Sequence, residues 1–118
     1  MSSFRETLDR VLDPEGIYWT HPGEEDLNPS VERIVQLRID VPSLHVAAAV
    51  DAMELDGWIF TEQPDEPSDP QQRLFFRRHQ NLSSETKVKM LTNALRVVFP
   101  IEGARLWTWI TVEDQDSA

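Results

Sequence analysis

The sequence predicts an α+β domain, on the strength of three observations. Residues 31 to 40 and the last strand-like stretch, from residue 105, alternate apolar and polar side chains with the period of two that is typical of a half-buried strand. Two other stretches, from Ser43 to Gly57 and from Ser83 to Pro100, carry helical patterns. The 118-residue chain is long enough to bury a core and has the length of one domain.

An N-terminal helix is the first predicted element. Ser3 and Glu6 have the spacing of a capping box, in which each side chain satisfies the free amide of the other residue. The apolar face of this helix then repeats at helical spacing, at Phe4, Leu8, Val11 and Leu12. Residues 17 to 30 hold two prolines and a glycine, so we expect an irregular segment there. Residues 1–30 are therefore assigned as a helix and an irregular acidic segment that pack on the main domain.

The main domain, residues 31–114, is predicted to run β-α-β-β-α-β. Its first strand buries alternate side chains, namely Val31, Val35, Leu37 and Ile39. A helix capped by Ser43 ends at Gly57, and short strands at 58–62 and 72–78 follow it. The second helix has an apolar stripe formed by Val88, Leu91, Leu95 and Val98. This order predicts a ferredoxin-like βαββαβ sandwich with an extra N-terminal helix, followed by a tail at 115–118.

The charge is strongly negative and unevenly spread along the chain. The net charge is −10, and the stretch between residues 11 and 32 contains six carboxylates and no Lys or Arg. Seven more, again unopposed, are Asp51, Glu54, Asp56, Glu62, Asp65, Glu66 and Asp69. From Arg73 to Arg105 the balance reverses, with seven basic residues against two acidic ones. Such a field repels nucleic acid and acidic membranes and favours encounters with basic partners, although acidic surfaces also serve solubility alone.

The face of the predicted sheet that the helices leave open should be aromatic. If Leu106, Thr108, Ile110 and Val112 face the helices, Trp107 and Trp109 project from the opposite side. Either Phe75 with Arg77 or Leu74 with Phe76 joins them there. Such a face is too apolar to remain exposed to solvent in a monomer. We expect the N-terminal helix to fold across it, and a second copy or a ligand are the alternatives.

No familiar catalytic or cofactor motif is present. The chain has no cysteine, and it lacks the glycine-rich phosphate loops, the G-x-S-x-G elbow and the H-E-x-x-H zinc motif. No apolar run reaches the roughly 20 residues of a membrane helix. We therefore expect no catalytic residue, cofactor or metal, no direct nucleic-acid or membrane binding, and a cytoplasmic location.

Two short motifs resemble the RraB family of acidic ribonuclease E regulators. They are "DGW" at 56–58, which opens a strand after a helix, and "EGARLWTW" at 102–109. The likeness in element order spans roughly residues 31 to 114. Family members tend to carry a tyrosine-aspartate-glycine-tryptophan run in the last strand, where this chain has Leu-Trp-Thr-Trp at 106–109. The resemblance implies a protein that works by binding another protein, with ribonuclease E itself not expected as the target.

Two functional hypotheses from different classes follow. The first is a small, non-catalytic acidic regulator or inhibitor that covers a basic surface on a nucleic-acid-handling protein, as nucleic-acid mimics, immunity proteins and phage inhibitors do. Its expected contacts are Asp51, Glu54, Asp56, Trp58, Glu62, Asp65, Glu66 and Asp69. The alternative is a dimeric small-molecule-binding protein or enzyme with a pocket on the aromatic sheet face, lined by Phe75, His79, Trp107 and Trp109. The chain is accordingly expected to be a monomer or a homodimer.

Overall fold

A computed structural model describes residues 3–12, 18–20, 32–81, 83–107 and 109–113. Within the segment predicted to be irregular, 17–30, only residues 18–20 are described, and they form a strand, so the prediction was wrong for those three residues. The tail predicted at 115–118 lies outside the described residues. The described residues contain three α-helices: α1 Phe4–Val11, α2 Val46–Leu55 and α3 Ser84–Val98. They also contain six strands of one sheet: β1 Tyr18–Thr20, β2 Arg33–Pro42, β3 Ile59–Glu62, β4 Gln71–Gln80, β5 Arg105–Leu106 and β6 Trp109–Glu113. This confirms the α+β class.

The sheet is antiparallel in its main part. Its strands lie in the order β1-β6-β2-β4-β3, and β5 also pairs with β2. Every pairing among β2 to β6 is antiparallel, whereas the short β1 is parallel to β6. The predicted last strand is thus divided. Leu106 of β5 lies opposite Ile39 of β2, and Thr111 of β6 lies opposite Gln36, so the pairing register with β2 shifts by two residues between β5 and β6.

The core lies between the sheet and the helices, and the alternation of β2 builds it. Val35, Leu37, Ile39 and Val41 are all fully buried. In register with them on β4, Leu74 and Phe76 point to the same side, which places Phe75 on the open face. Helix α3 contributes Leu91, Leu95 and Val98 from its predicted stripe, together with Met90 and Ala94. Val88 of that stripe is exposed.

The predicted cap at Ser3 is confirmed, and Ser83, where the later helical pattern was predicted to begin, caps α3. The Ser3 side chain accepts a hydrogen bond from the Glu6 amide at 3.1 Å, and the Ser83 side chain accepts one from the Thr86 amide at 3.2 Å. The prediction that Ser43 caps the helix that follows β2, which is α2, was wrong. Ser43 begins a turn of 3-10 helix ahead of α2, and its amide donates to the carbonyl oxygen of Pro70 at 2.9 Å.

Helix α1 does not lie across the open sheet face, and that expectation was also wrong. Its Phe4 ring packs edge-on against Phe99, just after α3, with ring centroids 5.4 Å apart. Leu8 and Val11 likewise pack against the main core. An amphipathic pattern shows that a helix buries one face but does not show against what, and here α1 extends the helical layer beside α3.

Candidate functional site

The acidic loop, which we define as residues 63 to 70 together with Glu62 at the end of β3, joins the antiparallel strands β3 and β4 and is not a linker between domains. The buried side chain of Gln72 holds its backbone in place. The Gln72 Nε2 donates to the carbonyl oxygens of Glu66 and Asp69 at 2.7 and 3.0 Å, and its Oε1 accepts from Gln63 at 2.9 Å. A buried amide with these partners fixes the loop because breaking any bond would leave a buried polar group unsatisfied.

Asp65 connects the same loop to Arg73 on the solvent-exposed side of β4. Its carboxylate accepts from the Arg73 backbone amide at 2.6 Å and lies 3.0 Å from the Arg73 Nη2. The hydrogen bonds from the Arg73 side chain and amide lower the pKa of Asp65, and the same carboxylate raises the pKa of Arg73. Asp65 is therefore engaged within the chain and positions the loop.

Three carboxylates of the acidic loop remain outward-facing. Glu62, Glu66 and Asp69 are all exposed. None of the three forms an ion pair within the described residues. The loop thus offers three open anionic groups on a backbone that Gln72 and Arg73 hold from two sides.

The other predicted contacts, Asp51, Glu54, Asp56 and Trp58, lie elsewhere. Asp51 and Glu54 are exposed on α2. Asp56 pairs with Arg78 at 3.3 Å and accepts from Asn93 at 3.2 Å. Arg73, beside Asp65, and Arg78 are five residues apart on one strand, a separation of about 17 Å, and point to opposite faces. The predicted set is therefore split between two ends of the molecule.

Trp58 is not an exposed anchor, contrary to its predicted role. Only 2% of its surface is accessible, and the Arg78 guanidinium carbon lies 4.2 Å from the ring centroid. Burial lowers the pKa of Arg78, while the nearby Asp56 opposes that shift. Because Arg78 covers the ring, Trp58 cannot contact a partner without local rearrangement.

The open sheet face carries an unforeseen network centred on Asp40. Its carboxylate accepts two hydrogen bonds from Arg38, at 2.8 and 3.0 Å, and a third from Trp107 Nε1 at 2.8 Å. The Arg38 guanidinium carbon lies 4.2 Å from the Trp107 ring centroid, and that of Arg105 lies 4.9 Å away. The Asp40 carboxylate thus joins the Arg38 guanidinium and the Trp107 indole, which is the pattern of a structural network.

The predicted aromatic pocket is only partly brought together. Phe75 lies 6.0 Å from the Arg38 guanidinium carbon, so it shares that residue with Trp107. His79 is exposed four residues further along β4, about 13 Å from Phe75. The side chain of Trp109 lies outside the described residues. Phe75 and Trp107 therefore share a neighbour on the open face, and His79 does not belong to their group.

Sequence reasoning missed three residues that matter here: Arg38, Asp40 and Gln72. Arg38 and Asp40 stand two apart on one strand, which places both on the same face, and this spacing was a usable signal. The partnership with Trp107 depends on the register between β2 and β5, which no local pattern gives. Gln72 carried no signal, since a glutamine beside a proline-rich loop is normally expected to be exposed.

The described part of the chain offers neither a metal site nor a membrane span. No group of three His, Asp or Glu side chains among the described residues is arranged to hold a metal ion. Within the same residues, no helix has both the length and the apolar character needed to cross a bilayer.

Comparison with family models, with curated proteins and with solved structures finds no match to this chain. Function has to be inferred from the charge, burial and contacts of its own residues. Fold alone does not decide function, since one scaffold hosts many unrelated sites.

Proposed function

We propose that this protein is a small, non-catalytic acidic regulator or inhibitor that binds a basic surface on a protein partner. The observation that carries the proposal is the acidic loop, in which Glu62, Glu66 and Asp69 are exposed on a backbone held by the buried Gln72. A preorganised loop loses little conformational freedom on binding, so more of its interaction energy appears as affinity.

The charge of the whole chain supports the same function. A net charge of −10 on 118 residues produces a long-range field that accelerates encounters with basic proteins. Fixed carboxylates meeting Lys and Arg side chains can take the place of nucleic-acid phosphates. We therefore infer a nucleic-acid-handling protein as the partner class, because such proteins display the basic surfaces that this field favours.

The contact set is narrower than the eight residues predicted from sequence. Asp65 is engaged by Arg73, Asp56 by Arg78, and Trp58 is buried. We assign direct contact to Glu62, Glu66 and Asp69 and a positioning role to Asp65. Asp51 and Glu54 are exposed on α2 and contribute to the field at a distance.

We also propose that the main domain belongs to the ferredoxin-like class. In support, the antiparallel part has the order β6-β2-β4-β3, with α2 connecting β2 to β3 and α3 connecting β4 to β5. The RraB-like motifs are consistent with this class and with a regulator that acts by binding protein. Both points support the proposed function without identifying the partner.

Two charge-matched triple variants test the proposal. The loop variant is Glu62→Gln, Glu66→Gln, Asp69→Asn, and the control is Asp9→Asn, Asp51→Asn, Glu54→Gln, which removes the same charge elsewhere. Each is immobilised beside the wild-type protein, and a lysate of the source cell is passed over all three. We expect the wild-type and control proteins to retain a basic protein that high salt releases. The loop variant should not retain it.

The purified partner is then titrated calorimetrically at low and high salt. Three lost charge pairs should weaken binding by about 1.5 kcal/mol, or roughly tenfold, and reduce its salt dependence. Equal losses in the control variant would mean that only the overall field acts. Retention of no protein, or of one whose affinity ignores the loop variant, would overturn the proposal.

A further inference from the structure

The outer face of α2, which points away from the sheet, is apolar and exposed. Every residue of α2 except Asp51 and Glu54 is apolar, yet only Ala49 and Met53 of this helix are buried. A helix at the surface of a domain normally turns a polar face to solvent, and a helix that is apolar on all sides is normally buried. The outer face of α2 is therefore unusually apolar for a surface that meets solvent.

Two leucines lie at the ends of this face. Leu55 is 91% exposed and Leu44, in the 3-10 turn just before α2, is 80% exposed, and no other large apolar side chain among the described residues is as exposed. Ala48 follows Leu44 by one helical turn and precedes Leu55 by two, so the three side chains lie along one side of the helix. Ala48 is exposed as well, and its small side chain lets a second helix approach α2 closely.

The same face is anionic. Asp51 and Glu54 are exposed beside the leucines, and neither side chain forms a hydrogen bond or an ion pair within the described residues. Residues 39–72 contain no Lys or Arg. Two copies packed through this face would bring like charges together with no cation from this part of the chain to offset them, whereas a basic partner would match those charges.

From these features we propose that the outer face of α2 is the docking site for an amphipathic, basic helix of a protein partner. The apolar side chains of that helix would pack on Leu44, Ala48 and Leu55, and this burial would supply most of the affinity. Its Lys or Arg side chains would pair with Asp51 and Glu54, which selects basic helices over acidic ones. The site is separate from the acidic loop and does not rest on the function assigned to that loop.

Three synthetic peptides test the proposal. The first has about 15 residues, enough to form a helix on binding, with leucines on one face and lysines beside them. The second has the same composition with its leucines distributed around the helix, and the third carries glutamate in place of lysine. We expect calorimetry to show saturable binding of one copy of the first peptide per chain, and binding of the other two that is weaker by about tenfold or more.

NMR spectra should locate the bound peptide. The methyl resonances of Leu44, Ala48 and Leu55 should shift as the first peptide is added, whereas the amide resonance of Glu66 in the acidic loop should not. Shifts confined to the acidic loop would show that the peptide follows charge alone and would overturn the proposal.

Variants separate the apolar part of the site from the charged part. Leu44→Gln and Leu55→Gln should each weaken binding about tenfold, whereas Val88→Gln, which removes an exposed apolar side chain from α3, should leave it unchanged. Asp51→Asn combined with Glu54→Gln should weaken binding about fivefold and reduce its salt dependence.

Glu6→Gln combined with Glu32→Gln is the matched control, since it removes the same charge from exposed positions outside α2 and should leave the affinity unchanged. All of these side chains are exposed, so the variants should fold, and thermal unfolding checks that they do. Absence of saturable binding, equal binding of the two lysine peptides, or an affinity that ignores the leucine variants would overturn the proposal. Light scattering that shows a dimer which the leucine variants dissociate would also overturn it, because a second copy would then be the occupant.

Discussion

Trp107 Nε1 donates a 2.8 Å hydrogen bond to Oδ2 of Asp40, a residue 67 positions earlier in the chain. The same carboxylate binds Arg38, and the side chains of Asp40 and Arg38 are 11% and 28% exposed. The final strand region is thereby attached to the centre of the sheet by a partly desolvated, charge-assisted network. Such networks stabilise a particular register as well as the fold.

A double-mutant cycle should measure this attachment. Asp40→Asn is expected to lower the free energy of unfolding by about 2 kcal/mol, because Arg38 loses its charged partner in a partly buried place. Trp107→Phe, which keeps an aromatic ring but removes the N–H donor, should cost about 1 kcal/mol. Urea unfolding of the double variant should show a coupling of about 1 kcal/mol. Strict additivity would contradict a direct contribution from the bond.

The exposed pair of Arg5 and Asp9, at 3.5 Å on α1, provides the control for that cycle. Asp9→Asn should change the free energy of unfolding by less than about 0.5 kcal/mol, because solvent screens exposed ion pairs. A larger effect would show that loss of any negative charge matters more than the local network.

Gln72→Met tests the support of the acidic loop. Methionine keeps the length of the side chain but leaves the carbonyl oxygens of Glu66 and Asp69 without their donor. We expect a loss of about 1–2 kcal/mol in stability and faster hydrogen exchange at the Asp69 amide, which bonds to the Glu66 carbonyl oxygen. Gln71→Met, on the exposed side of the same strand, is the matched control and should leave that exchange rate unchanged.

The pH dependence of stability should report on Asp65. Arg73 lowers the pKa of Asp65 in the folded protein, so its ionisation stabilises the fold above the ordinary carboxyl pKa. This contribution is lost as the pH falls through the lowered folded-state value. Asp65→Asn should therefore be less stable than wild type at neutral pH, and the two should converge in acid. A difference that stayed constant with pH would exclude ionisation as its cause.

The two glycines with positive φ should differ in their tolerance of alanine. Gly57 and Gly103 have φ of +93° and +84°, and an added Cβ at Gly103 would lie 3.3 Å from Pro42 Cγ. The nearest atom to a Cβ at Gly57 is 3.9 Å away. Both alanine variants should lose about 1 kcal/mol to backbone strain, and Gly103→Ala should lose more in thermal or urea unfolding. Equal losses would mean that the Pro42 ring moves aside without cost.

The sequence patterns predicted the parts of the fold that local periodicity controls. Alternation at Val35, Leu37 and Ile39 identified a buried strand face, and Ser3 and Ser83 identified two helix starts. The position of α1 could not be predicted in this way, since its apolar face would fit either the open sheet or the edge of the helical layer. Packing against Phe99 decided the outcome, and that residue follows a different helix.

The candidate site was harder to predict because acidic residues with no basic neighbour in the sequence can still pair with arginines in the fold. Asp56 and Asp65 belong to an unopposed acidic stretch, yet each meets an arginine of β4 in the fold. Trp58 sits between acidic residues in sequence but is covered by Arg78. These pairings depend on the strand register and on the face of β4 from which each arginine projects. A register shift of two residues would preserve every alternation pattern and yet move each arginine away from its aspartate.

Strand β3 ends the described sheet with one side unpaired, and it is only four residues long. Glu62 terminates it with a charge, and Pro64 follows two residues later. A strand from a neighbouring chain could form only a few backbone hydrogen bonds along β3, because Pro64, just beyond its end, has no amide hydrogen to donate. The segment that carries the exposed carboxylates therefore also protects the sheet edge from pairing with another chain. Replacing Glu62 and Pro64 with residues that favour β-strands should promote fibrous assembly.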